Sequence, residues 1–149
     1  MTFDKRLNSA WWALRIGLGL GPLLAGLDKF FNLLANWEMY LSPLATKVLP
    51  VSPAVFMRAV GVVEMLVGIA ILTRWTRTAS YVAMAWLLAI AVNLVSAGMF
   101  LDLATRDVLI ALAAYTLARI TEVRQETLAA DGDSAMRAAI EKLRTSSAA

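Results

Sequence analysis

Four apolar stretches, each close to the thickness of a bilayer, are laid along the chain with short mixed or polar segments between them. As a helix, an apolar run of about 20 residues crosses the ~30 Å hydrocarbon core of a membrane. The pattern predicts spans over about 10–27, 53–72, 79–101 and 106–120, after a short N-terminal segment 1–9 and before a polar helical tail over 121–149. The first span opens on the interfacial pair Trp11-Trp12 and closes on Asp28-Lys29. Lys5 and Arg6 ahead of it also suit a signal peptide, but no small-x-small cleavage site follows and three more runs do, so a retained span is expected. Ser52-Pro53 gives the second span an N-cap and a proline at its first position. The fourth is the shortest. Its uncharged part, Val108 to Ala118, rises only ~16 Å, so it must be shielded by its neighbours, thin the bilayer, or carry Arg106, Asp107 and Arg119 inside the polar boundary.

Segment 28–52 is long and rich in apolar and aromatic side chains, among them Phe30, Phe31, Trp37 and Tyr40. It reads as an interfacial segment, helical as far as Ser42-Pro43, in place of a free loop. The tail is expected to continue the fourth helix to about Ala130 and to break at Asp131-Gly132-Asp133. It then either restarts at Ser134 as a short helix with a weak apolar edge of Met136, Ile140 and Leu143, suited to a membrane surface or a partner, or frays into a solvated tail. The fold class is therefore all-α: a polytopic membrane protein built as a four-transmembrane-helix bundle.

Helical spacing sorts the unusual residues onto faces. In the first span Ala13, Gly17, Gly21 and Ala25 recur every fourth residue, the pattern that lets membrane helices approach closely. Arg15, Gly19, Pro22, Gly26 and Lys29 form a second stripe on the other side. Arg58, Gly61, Glu64 and Gly68 share one side of the second span. The third groups Ala79, Ala83, Trp86, Ala89, Asn93 and Ala97, and the fourth Ala104, Asp107, Ala111, Ala114 and Ala118. Gly17, Gly21, Ala25, Gly61 and Gly68 are the expected packing positions. Arg15 and Glu64 are the charges furthest inside, and a lone charge at mid-membrane costs at least ~2.5–3.5 kcal/mol. Counted from the nearer ends of their spans they lie ~7 and ~12 Å deep, which makes a buried Arg15–Glu64 pair the expected arrangement, with Arg15 snorkelling to the cytoplasmic headgroups as the alternative. A second group, Asp28, Lys29, Arg58, Asn93, Asp102, Arg106 and Asp107, gathers at the opposite ends of the spans. It suits either interhelical salt bridging or the mouth of a site for an amphiphilic ligand.

Composition sharpens this picture. The 149 residues are 60% hydrophobic and 17% charged, with a mean hydropathy of +0.67. Lys and Arg are unevenly placed: nine lie at the N-terminus, in the connection after the second span and in the tail, against three in the other two connections. The asymmetry puts both termini on the cytoplasmic side, and makes the basic pI near 9.6 a mark of membrane anchoring, not of nucleic-acid binding. The chain has no histidine and no cysteine. It therefore lacks imidazole and thiolate ligands, disulfides and thiol relays. No metal is expected, and any cofactor is a dissociable organic molecule: a quinone or a lipid.

The run Arg15-Ile-Gly-Leu-Gly19 followed by Gly26-Leu-Asp-Lys29-Phe resembles the first-helix signature of the DoxX-like family of small bacterial four-helix membrane proteins. Gly61-Val-Val-Glu64-Met-Leu-Val-Gly68 is similar to that family's glycine-glutamate-glycine helix, and Arg106-Asp107 before an alanine-rich fourth span also fits. The resemblance covers roughly residues 10–120 and implies a multi-pass bundle in a bacterial inner (plasma) membrane, with loose redox associations. Related bundles that act on disulfides carry paired cysteines, which this chain lacks. The leading expectation is a non-catalytic subunit or accessory protein of a larger, redox-linked membrane assembly, in contact with lipids, other subunits or further copies of itself. One alternative is a quinone-linked oxidoreductase component using Glu64 or Asp107 for protons. The other is a small oligomeric transporter or channel.

Overall fold

The computed structural model describes residues 4–48 and 50–147, and every regular element among them is helical. Helix α1 runs Lys5–Asp28, a short 3-10 turn covers Trp37–Tyr40, and α2 (Pro43–Val48), α3 (Pro53–Leu72), α4 (Thr76–Ala97) and α5 (Leu101–Ser147) follow. Three of these, α1, α3 and α4, are long and apolar enough to cross a membrane. The first turns of α5 carry Asp102, Arg106 and Asp107, which sets it apart from those three by composition.

Local chemistry explains most of the boundaries. The Asp4 carboxylate accepts from the Arg6 amide at 2.7 Å and starts α1, which continues through Pro22. The Ser52 hydroxyl accepts from the Val55 amide, with Pro53 in the first turn of α3. Helix α4 stops because Gly98 takes a left-handed conformation (φ +66°), which glycine adopts without a Cβ penalty, and returns its N–H to Val95. Leu101 consequently opens α5 instead of closing the third apolar helix, and α5 begins earlier than position 106.

Two further expectations are corrected. Segment 28–52 is not helical as far as Ser42-Pro43; it makes a 3-10 turn and then starts a six-residue helix at Pro43. The tail does not break at Asp131-Gly132-Asp133, since α5 is one helix of 47 residues, ~70 Å long. A single interior glycine costs ~1 kcal/mol relative to alanine, too little to end a helix with several helix formers on either side.

The long helices alternate in direction. Trp11 Nε1–H donates to Thr121 Oγ1 at 2.7 Å and the Arg124 guanidinium donates to Asn8 Oδ1 at 3.4 Å. The start of α1 and the point where α5 leaves the bundle therefore share one end. Helix α1 packs chiefly on α3, and α4 on α5. The α5 face of Ala104, Asp107, Ala111, Ala114 and Ala118 is buried throughout, facing Ala79, Ala83 and Ala91 of α4; Ala89 turns outward. Around Trp11, Ile71, Leu117 and Ala114 lies one apolar cluster, at the end holding the start of α1. A second, around Ala91, Leu94 and Ala104, lies at the other end under Tyr40 and Phe100.

Glycines set the α1–α3 contact. A Cβ on Gly26 or Gly61 would fall 2.5 Å from the other's carbonyl oxygen, and one on Gly68 would fall 2.5 Å from the Gly19 carbonyl oxygen. Two glycine pairs, seven residues apart on each helix, thus bring the backbones into direct contact. Gly17 and Gly21 behave differently: a Cβ on either would meet nothing, and both are exposed, with Ala25 half-buried beside them. The stripe expected to pack inside the bundle faces outward, and the stripe of Arg15, Gly19, Gly26 and Lys29 packs in its place.

Candidate functional site: a buried ion pair under an aromatic lid

The expected Arg15–Glu64 pair does not form. Glu64 is met by Lys29, whose Nζ lies 2.5 Å from Oε2, with both side chains almost fully buried. The glycine seam explains the exchange. With Gly26 against Gly61, Lys29 emerges beside Gly61, where a Cβ would sit 3.1 Å from the Lys29 Cβ. The missing side chain leaves a channel along which the lysine stem reaches the carboxylate one turn deeper.

Four helices contribute to this point. Trp86 on α4 brings its indole against the Glu64 carboxylate, and Asp107 on α5 lies within its electrostatic reach. The Trp86 N–H is buried, and among the described residues no acceptor meets hydrogen-bond geometry with it. Asp107 is 4% exposed and accepts from its neighbour Arg106, whose own side chain is exposed. A lid closes the site from above. Trp37 lies over Lys29, with Nζ 3.8 Å from the ring centroid, and donates its indole N–H to Asp28 Oδ2 at 2.8 Å. Asp28 also accepts from the Leu33 and Leu34 amides, which folds the chain back over the bundle end. Asn93 ties the far side of the lid down, donating to the Tyr40 carbonyl at 2.9 Å and accepting from the Ser42 amide at 3.2 Å. Tyr40 packs edge-on against Phe100.

The group expected at this end therefore divides. Asp28, Lys29, Asn93 and Asp107 are drawn into the lid and the buried pair, whereas Arg58, Asp102 and Arg106 stay exposed. Trp37 and Trp86 escaped the sequence reading as site residues. The readable signal for the pair was the shared seven-residue glycine spacing of α1 and α3, which sets Lys29 beside Gly61.

Arg15 takes a different role at the opposite end. Its Nε–H donates to the Ile71 carbonyl at 3.0 Å, and Nη2 donates to Leu72 at 2.7 Å and Thr73 at 2.5 Å. These are the terminal carbonyls of α3, which have no partners within the helix, and a cation there also complements the helix dipole. The guanidinium stacks 4.7 Å from the Trp11 ring centroid and 5.0 Å from that of Trp12, and Arg124 lies over Trp11 at 4.4 Å. Arg15→Gln is expected to lower the stability of the detergent-solubilised protein by about 1 kcal/mol, the scale of a cation at a helix C-terminus. Thermal unfolding would register this as a drop of roughly 2–4 °C, and an unchanged midpoint would show that the cap contributes nothing.

Further along that end, Glu122 collects Arg77 at 3.0 Å, Arg119 and the Tyr81 hydroxyl, beside a shallow cleft of ≈ 470 Å³ lined also by Gln125 and Glu126. Among the described residues no group of three or more carboxylates is placed to hold a metal ion. No protein-family model, curated protein or solved structure matches this chain.

Proposed function

We propose that this chain is a non-catalytic, DoxX-like subunit or accessory protein of a larger membrane assembly, with α5 as a fourth span and both termini on the cytoplasmic face of a bacterial inner membrane. One observation carries the reading: Gly17 and Gly21 stand open on the outer surface of α1, beside exposed Ile16, Leu20 and Leu24. A glycine inside a helix costs ~1 kcal/mol relative to alanine, and nothing within the chain offsets that cost here. A second helix packed on the stripe would offset it, because small residues are what membrane helices use to approach one another. The buried charges Asp28, Lys29 and Glu64 and the half-buried Arg15, by contrast, are engaged within the chain, in holding the lid, pairing and capping.

Extraction in mild detergent is expected to recover the chain with a stable partner. Gly17→Leu combined with Gly21→Leu should release that partner without lowering the unfolding midpoint of the isolated bundle. Recovery of wild type and variant alike as the same bare monomer would end this reading.

A quinone-linked role is the second reading, favoured by two buried carboxylates, Glu64 and Asp107, brought to one point beneath the aromatic lid. Organic extraction of the purified protein tests it. Stoichiometric quinone supports the role, and bulk phospholipid alone removes it.

A further inference from the structure

Among the described residues two that are not glycine have a positive φ, Asn32 at +52° and Phe100 at +58°, and both belong to the surroundings of the lid. Asparagine takes this left-handed conformation at little cost, whereas a residue as bulky as phenylalanine is strained in it. Asn32 stands where the chain turns past the end of α1, its N–H donating to the Asp28 carbonyl at 2.7 Å. Phe100 lies in the connection between α4 and α5 and is half-buried. Its ring meets that of Tyr40 edge-on at 4.9 Å, and both rings pack on the cluster of Ala91, Leu94 and Ala104. Strain of this kind persists only where the surroundings hold it, and it gathers at clamps and switches. One of the groups holding Phe100 belongs to the lid.

The lid itself buries little apolar surface. No residue of Trp37–Tyr40 is buried, and Leu33 and Leu34 are 84% and 75% exposed. Polar bonds at two places hold it down. The Asp28 carboxylate takes the Leu33 and Leu34 amides and the Trp37 indole, and the Asn93 side chain joins Tyr40 and Ser42. A segment with so few buried apolar contacts opens at a free energy below that of the whole fold. The bundle beneath is of another kind: Gly26 and Gly61 meet backbone to backbone, and the alanine face of α5 is buried. Lifting the lid therefore leaves the helices packed. It takes the Trp37 ring off Lys29 and uncovers the Lys29–Glu64 pair on that side. It also takes Tyr40 from Phe100, which can then leave the left-handed region. The Phe100 carbonyl accepts from the Ala104 amide at 3.0 Å, so the first turn of α5 registers the change.

We propose that residues 30–42 are a hinged gate that opens as one unit over the Lys29–Glu64 site, turning at Asn32, and that Tyr40 and Phe100 couple it to the start of α5. Hinges are a few loop positions that absorb a large change of φ and ψ, and Asn32 has the side chain suited to that. The strain at Phe100 opposes closure, and the bonds at Asp28 and Asn93 offset it. Such a gate is the entry route that the quinone-linked reading needs, but it depends on neither a quinone nor a partner subunit.

Amide hydrogen exchange of the full chain in detergent reads the gate. In the wild-type protein the Leu33, Leu34, Ser42 and Ala104 amides should exchange through one shared opening, with a common dependence on denaturant and ahead of the amides in the middle of α3 and α4. Asn93→Ala removes two hydrogen bonds at one side of the lid and should speed all four by about tenfold or more, although Asn93 bonds to neither Leu33 nor Leu34. Lys29 should gain reactivity toward a water-soluble amine reagent by the same factor, measured against the exposed Lys5 and Lys142. Acceleration of Ser42 alone would mean separate ties and no gate. A Lys29 whose reactivity does not follow the amides would overturn the proposal too. Unrelated opening energies for the four wild-type amides would do the same, whether or not Asn93→Ala folds. No readout here involves a quinone, so failure of the gate and failure of the quinone-linked reading are separate results.

Discussion

Glu64→Leu is expected to cost the folded bundle about 3–5 kcal/mol, because it strands the Lys29 ammonium in a site that excludes water. Lys29→Leu should cost a similar amount by stranding the carboxylate. The double replacement should recover most of either loss, since two buried ions exchanged for apolar groups of similar size are often neutral or stabilising. The same cycle run with Arg15 in place of Lys29 should show additivity within about 0.5 kcal/mol, because Arg15 acts on the far end of α3. Unfolding of the five variants in detergent, by heat or by denaturant, reads out both cycles. Coupling of Glu64 to Arg15 but not to Lys29 would reverse the assignment of the buried pair.

The second large effect concerns the glycine seam. At Gly26, Gly61 and Gly68 the atom opposing a new Cβ is a backbone carbonyl oxygen at 2.5 Å, which cannot step aside by itself. Alanine at any of the three must push α1 from α3, at a cost of about 1–3 kcal/mol or more. In doing so it also draws Lys29 away from Glu64. At Gly19 the opposing atoms belong to the Leu72 side chain, which can rotate, so a smaller loss is expected. Gly17→Ala and Gly21→Ala should raise the midpoint of the isolated bundle slightly, by removing interior glycines at open positions. The order of the six midpoints is the test. Equal losses at Gly17 and Gly61 would mean that the two stripes of α1 are not distinguished as the structure has them.

Several features could be read directly from the residues. Ser52-Pro53 marks the start of α3, and the alanine face of α5 is visible from its spacing. The partner of Glu64 was not legible, because depth along separate helices does not fix the register between them. Counting from helix ends made Arg15 and Glu64 neighbours, whereas the glycine pairs place Arg15 against Leu72. Each stripe of α1 carries two glycines, so only the matching seven-residue glycine spacing in α3 separates them. The lid is a tertiary device. Asp28, Trp37 and Asn93 read individually as a helix end, an interfacial aromatic and a polar group in a span; the Asp28–Trp37 bond joins residues 9 apart in sequence, and the bonds from Asn93 to the lid join residues 51 and 53 apart.

The Lys29–Glu64 pair also bears on the order in which the chain can enter a membrane. Lys29 precedes Glu64 by 35 positions, and a ribosome delivers the earlier residue first. An isolated carboxylate would meet an insertion barrier of several kcal/mol at mid-bilayer. When α3 is threaded, however, α1 is already made, with its ammonium on the face that Gly61 of α3 comes to meet. The helix carrying the acid thus arrives at a waiting counter-ion, and the hairpin of α4 and α5, made last, closes over a charge that is already neutralised.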